Sequence, residues 1–303
     1  TSGSEAYSLS SASYDSVSFS VTSQDTSPYG ITFKSDGTKM YVVGGTGSDI
    51  NEYALSTAWD VSTASYRDSF AFGGDAMSVK FSSDGKKMFT LSSFGVKEFL
   101  LNTAFDITTT ANGTTPETTY SVSSQDSGPF GLDFNNDGTK MFVIGSNGDD
   151  VNEYTLSTAF DVSTASFVDS FDISSQELGP RDVAFSNDGL KMFVVGVRGD
   201  DVNEYTLSTA FDVSTASFVD SFDISSQEDS PTGLAFNNDG TKMFVAGNAG
   251  DDINEYTLST GFDVSTASFV DSFSVASQDT TPNGLSFNSD GTKMYVVGNQ
   301  GND

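Results

Sequence analysis

The 303-residue chain contains no cysteine and no histidine. Without cysteine it has neither disulfides nor thiolate metal sites. Without histidine it lacks the commonest general base and the commonest transition-metal ligand. Basic residues are scarce: 13 Lys and Arg stand against 42 Asp and Glu, a formal charge of −29. So acidic a surface repels phosphate backbones and anionic lipid, which argues against nucleic acid and membrane partners and suits a saline, extracellular or surface-exposed setting. No apolar run approaches the ~18 residues of a membrane span, and no stretch reads as a signal peptide. The first residue is Thr rather than Met, so a longer parent chain is an open expectation. A 3.6-residue apolar period is missing, while Ser, Thr, Gly and β-branched residues abound, which points to an all-β fold.

What the chain does contain is a repeat. Lys-Met recurs with Met40, Met88, Met141, Met192, Met243 and Met294, at spacings of 48, 53, 51, 51 and 51 residues. Each unit parses into four short strands. In the unit from Ser174 to Ile224, the first strand, around Asp182 to Phe185, ends at Asn187-Asp188-Gly189. Asp-Gly between apolar runs is a hairpin signal, because Gly takes a positive φ at little steric cost. The second strand, Lys191 to Gly196, is apolar on both faces, as a sheet packed between two neighbours requires. A third strand covers Asn203 to Ser208 and a fourth Ser217 to Ile224.

Four-stranded units at this period are propeller blades. The expected architecture is a single all-β domain over 1–303: a six-bladed β-propeller of four-stranded antiparallel blades, six repeats of about 51 residues. The N-terminal segments Tyr7 to Ser10 and Ser18 to Asp25 match strands three and four, and Gly284 to Gly298 matches strands one and two. Pairing between the two ends is therefore expected to close the ring and remove open edges. A parallel β-helix is the runner-up, but its turns are shorter and lack these hairpins.

The segment Ser35-Asp36-Gly37-Thr38-Lys39-Met40-Tyr41-Val42-Val43-Gly44, followed by Ile50-Asn51-Glu52-Tyr53, resembles the YVTN/NHL/lactonase-like propeller superfamily. It also resembles uncharacterised propeller repeat arrays of marine bacteria and phages. The resemblance covers nearly the whole chain and implies fold, not function, since propellers host hydrolases, lectins, adhesion modules and scaffolds alike. WD40 and kelch repeats fit less well: the chain has one Trp and no Gly-Gly pair in every unit.

Positions that differ between units mark where a ring can acquire a specific site. In the connections to strand one, the residue after Pro is Tyr29, Phe130, Arg181, Thr232 or Asn283, and Met77 takes that place in the second unit, which lacks the Pro. These six are expected at the channel mouth as a ligand surface. Charges interrupt strand one only at Lys80, Asp133, Arg181 and Asp182, where other units carry small residues. They read either as a salt-bridged channel plug or as a polar pocket for a sugar or small anion; under the hydrolase alternative, Asp133 and Asp182 are the carboxylates to serve as acid and base.

Two acidic series, Asp49, Asp149-Asp150, Asp200-Asp201, Asp251-Asp252, Asp303 and Asp25, Asp75, Asp126, Glu177, Glu228, Asp279, offer oxygens of the kind Ca²⁺ takes, although no complete EF-hand loop occurs. The repeated Asn-Glu-Tyr is expected to pair across the hairpin with Lys140 and its copies, at roughly 0.2–1 kcal/mol each. The aromatic series Trp59, Phe105, Phe160, Phe211 and Phe262 reads as hinge packing before it reads as a sugar platform.

Without a recognisable nucleophile motif or His-based channel set, these residues suggest a non-enzymatic binding or adhesion module for a glycan or protein surface. The alternatives are a scaffold module of a larger assembly, or a Ca²⁺-dependent lactonase-like hydrolase as the superfamily resemblance implies.

Overall fold

The computed structural model describes residues 6–73 and 77–301; Asp75 and Asp303 of the acidic series lie outside them. Blade one is β1 (Pro28–Phe33), β2 (Lys39–Gly44), β3 (Asp49–Leu55) and β4 (Ala64–Ala71). Blade two is β5 (Ser78–Phe81), β6 (Lys87–Ser92), β7 (Gly95–Leu100) and β8 (Thr118–Tyr120). Blade three is β9 (Pro129–Phe134), β10 (Lys140–Gly145), β11 (Asp150–Leu156) and β12 (Ala165–Asp172). Blade four is β13 (Pro180–Phe185), β14 (Lys191–Gly196), β15 (Asp201–Leu207) and β16 (Ala216–Asp223). Blade five is β17 (Pro231–Phe236), β18 (Lys242–Gly247), β19 (Asp252–Leu258) and β20 (Ala267–Ser274). A last sheet has two strands, β21 (Pro282–Phe287) and β22 (Met294–Gly298).

All pairings are antiparallel in sequence order, and the first strands touch one another around the ring, with β1 against β21. Second strands are buried on both faces, as in Met192, Phe193, Val194 and Val195, each at 0% exposure. They hold the core between blades, where Phe142 and Ile144 of one blade meet Val183, Met192 and Val194 of the next. The fourth strands are mostly exposed on the rim.

The expected six four-stranded blades are corrected to five complete blades and a partial sixth. Among the described residues the N-terminal segment forms no strand. Tyr7 donates its N–H to Gly291 and lies over that turn glycine, as Phe262 does with Gly240. Tyr7 thus copies the loop aromatic that follows strand three, not a strand-three residue. Leu9 falls in a one-turn 3-10 helix (Leu9–Ser11) equivalent to Val264–Thr266, and Val21 packs at the end of the fourth-strand path. The N-terminus therefore completes the outer part of the last blade without supplying its third strand.

The aromatic series is packing. Trp59, Phe105, Phe160, Phe211 and Phe262 all have φ between 55° and 61°. Each ring covers the glycine of its own blade's hairpin turn, where an added Cβ would lie within 2.4 Å of the ring.

Candidate channel-mouth site

Five of the six differing residues are placed by a backbone irregularity. In blades one, three, four, five and the partial sixth, pairing skips from the Pro to the second residue after it: Pro180 faces Gly196 and Asp182 faces Val195. Tyr29, Phe130, Arg181, Thr232 and Asn283 are therefore bulge residues. A bulge bends the strand and re-aims one side chain, and bulges gather near sites. Blade two starts its first strand at Ser78 without a bulge, and Met77 precedes it, bonding its N–H to Leu91.

Several of these side chains reach the next blade. Thr232 Oγ1 donates to the carbonyl of Pro282 at 3.0 Å, and Asn283 Nδ2 to that of Pro28 at 3.2 Å. Both act as staples around the ring. Arg181 lies with its guanidinium carbon 4.5 Å from the centre of the Phe130 ring, a cation–π contact between blades four and three. Tyr29 is 37% exposed, with its hydroxyl end over Gly45.

Three residues along the first strand from Phe130 and Met77, the charged wall begins. Lys80 Nζ bonds Asp133 Oδ1 at 3.0 Å, joining equivalent positions of neighbouring first strands. Their side chains are 42% and 36% exposed, to a channel that protein surrounds, so contact with water and depth within the ring coexist. Asp182 sits one turn of the pleat higher in blade four. Its Oδ2 accepts the N–H of Leu234 in blade five at 3.0 Å and its Oδ1 that of Val183. Desolvation pushes its carboxyl up to about 6, against the lowering effect of those bonds and of Lys80. Lys80 and Asp133 thus meet, while Asp182 is tied to the neighbouring backbone.

The acidic series after strand four is committed to the fold. Asp126 accepts the N–H groups of Gly128 and Gly148. Glu177 accepts those of Arg198 and Gly199, and Glu228 those of Ser230, Ala249 and Gly250. These carboxylates fasten the second hairpin turn to the incoming connection, and so hold the mouth face rigid. Among the described residues no group of three or more carboxylates gathers as a metal site would require. In the other series, burial pushes Asp150 and Asp201 up to about 6.

One residue escaped sequence reasoning. Lys97, where other blades have Asn, donates to the carbonyls of Phe72 and Gly73 at 2.7 Å each. It props the connection that lacks a Pro, and the break in Asn-Glu-Tyr at Lys97-Glu98-Phe99 was its signal.

No family profile and no curated protein sequence matches the chain. Solved structures do. A Bacteroides uniformis protein provisionally named a 6-phosphogluconolactonase is 14% identical, with 88% of this chain and 77% of that one covered at a TM-score of 0.63. The periplasmic gluconolactonase of Pseudomonas aeruginosa is 16% identical, covering 81% and 69% at 0.56. A luciferin-regenerating enzyme is 13% identical, covering 92% and 86% at 0.62. At such identities the likeness is one of fold: a propeller with lactonase-like neighbours. The expectation that the chain is not an enzyme is overturned by these neighbours, which are named as enzymes; the missing histidine does not decide the matter.

Proposed function

We propose that the channel mouth binds a small oxygen-rich molecule of the sugar-lactone class and opens it by hydrolysis. The observation that carries this reading is the charged wall. In a ring whose inner strands otherwise repeat small residues, Lys80, Asp133 and Asp182 are confined to three adjoining blades, and one of them has a carboxyl tuned to about 6. An Asp of that kind is a competent base near neutrality.

In this reading Asp182 takes a proton from water as the water oxygen attacks the lactone carbonyl. The Lys80 ammonium offsets the charge that develops there. The ring C–O bond then breaks and its alkoxide recovers the proton, leaving an open hydroxy acid. The net charge of −29 favours an uncharged lactone over a phosphorylated one. The names of the neighbouring structures support the substrate class, and the acidity supports a saline or extracellular setting.

The test is pH-stat hydrolysis of uncharged five- and six-membered sugar lactones. Turnover should exceed the buffer rate, rise through about pH 6, and fall on the order of a hundredfold in Asp182→Asn, with a cooperative melting transition showing that the variant is folded. A wild-type rate equal to buffer would refute the reading.

A second reading keeps the same face but gives it a larger partner, a surface glycan. It rests on the Arg181–Phe130 pair and the exposed Tyr29, which together offer stacking and donors. On a glycan array, Arg181→Ala should lose binding while keeping its melting temperature. Equal loss of both would assign Arg181 to the fold.

A further inference from the structure

Nine places in the chain pair an Asn or Asp with a following Gly. Such pairs can cyclise without an enzyme. The glycine nitrogen, once deprotonated, attacks the side-chain Cγ before it and closes a succinimide ring. Glycine suits this step because no Cβ shields its nitrogen. A hydrogen bond or a strand ladder that holds the glycine prevents it. Eight of the nine are held in this way. In the six Asp-Gly hairpin turns the glycine N–H donates to the carbonyl three residues back, as Gly189 does to Ser186 at 2.8 Å. At Asn147 the N–H of Gly148 is taken by Asp126 at 2.8 Å, and Asn147 Nδ2 donates to Ser127 Oγ at 3.0 Å. At Asn283 the carboxamide is fixed on the carbonyl of Pro28 at 3.2 Å, and Gly284 lies in β21 opposite Val297.

The ninth pair, Asn112-Gly113, stands where blade two departs from the others. Elsewhere the fourth strand follows the 3-10 turn directly, as Ala165 follows Val162–Thr164. In blade two the turn ends at Thr109 and β8 begins only at Thr118, with a loop between. Both ends of that loop are pinned to β7: Ala111 donates its N–H to the carbonyl of Leu100 and Glu117 to that of Glu98, each at 2.8 Å. Residues 111–115 are exposed. Gly113 has φ 60°, and a Cβ added to it would meet nothing within 4 Å. Thr115 donates its N–H to the carbonyl of Asn112 at 3.3 Å, whereas the N–H of Gly113 has no partner among the described residues. Asn112 Nδ2 donates to Glu117 Oε1 at 2.6 Å.

We infer that Asn112 is a self-modification site, at which the folded chain converts an amide into a carboxylate with water as the only co-reactant. The Gly113 nitrogen loses its proton to hydroxide and bonds to Asn112 Cγ. The Cγ–Nδ2 bond breaks, and that nitrogen leaves as ammonia with a proton taken from water. Water then opens the ring at either carbonyl. One opening restores the main chain and leaves an aspartate side chain. The other leaves an isoaspartate, whose main chain runs through the side-chain carbons. Both outcomes place a negative charge where Nδ2 donated to Glu117. Two facing carboxylates then replace the contact that closes the loop, and they repel. The longer isoaspartate chain must also fit between the two pins on β7. The site lies on the loop leading to the outermost strand of blade two, so the inference is independent of the channel reading.

The experiment incubates the full chain in mildly alkaline buffer, with a parallel sample unfolded in urea, and follows peptide masses over time. Lys97, Lys140, Arg181, Lys242 and Lys293 place the three Asn-Gly pairs in separate tryptic peptides. In the folded sample the amide-to-acid mass change should build up at Asn112 alone, with a matching second peak on anion exchange. In urea, where the bonds to Gly148 and Asn283 are gone, Asn147 and Asn283 should convert as well. The rate at Asn112 should rise with pH, because the attacking nitrogen must lose its proton. Asn112→Gln, whose longer side chain closes a ring far more slowly, should lose the second peak and keep the parent's melting temperature. The inference is overturned if Asn112 keeps its amide in the folded chain, or if Asn147 or Asn283 loses its own there at the same rate.

Discussion

One buried glutamate holds three elements together. Glu204, 1% exposed, bonds Lys191 of β14 at 2.7 Å through one oxygen and accepts the N–H of Val264 in blade five at 2.8 Å through the other. Truncating it leaves an uncompensated ammonium and an orphaned N–H inside an interface. Lys191, 27% exposed, can partly recover water. Glu204→Ala should therefore cost about 3 kcal/mol, and Glu204→Gln less because the amide oxygen still accepts. Urea denaturation checks both; a cost below about 1 kcal/mol would show that the pair is a surface ornament. The lysine half of this arrangement was legible, because Asn-Glu-Tyr and Lys face each other across a hairpin. The Val264 half was not: it joins residues 60 apart, across a blade interface that only the closed ring creates.

At the scale of elements, the sequence carried the strands well where turn chemistry and apolar runs agreed. β14 spans Lys191–Gly196 as expected, and Gly189 at the preceding turn has φ 70°. The bulges were not legible, because Pro-x-Gly reads equally well as an ordinary start of a strand; only the paired register shows Arg181 left out of the ladder. The N-terminus went wrong for a specific reason. Tyr7-Ser8-Leu9-Ser10 imitates Tyr154-Thr155-Leu156-Ser157 of strand three, and an aromatic suits both that strand and the loop after it. Chain length decides between them. From Leu156 to Ile173 there are 17 residues, from Val162 to Ile173 there are 11, and from Leu9 to Val21 there are 12. Leu9 therefore stands where Val162 does, and the N-terminal segment does not supply a third strand among the described residues. The acidic connections were read as candidate cation ligands because carboxylates near turns suit either use. Their bonds to backbone N–H groups, made between segments some 21 or 22 residues apart, give them to the mouth face instead.

For the whole molecule, charge and burial act on stability in the same direction. A formal charge of −29 repels itself in the compact state at neutral pH. Asp150 and Asp201 add a specific term: desolvation raises each to about 6 in the folded chain, above the ordinary value near 3.9 that an unfolded Asp keeps. Between those two values the folded state binds more protons than the unfolded one, so stability must increase as pH falls through about 6 and is fully gained near pH 4. Groups shifted the other way set the lower limit. Asp36 is held at about 2 by Lys34 and Thr38, and Asp84, Asp137 and Asp188 are lowered by hydrogen bonds within their turns. Their contribution is present above the unfolded value and is lost as pH falls below about 4 toward 2. The melting temperature should therefore be higher near pH 4.5–5 than at pH 7.5, and fall steeply below about pH 3.5. Added salt should raise it at pH 7.5 and change it little near pH 4.5, where less repulsion remains to screen. The double variant Asp150→Asn, Asp201→Asn should be more stable than the parent at pH 7.5 and should flatten the rise between pH 7 and 5. A melting temperature that only falls from pH 7.5 downward would mean that these carboxyls are not desolvated in the folded chain, and that the blade turns are wetter than their packing implies.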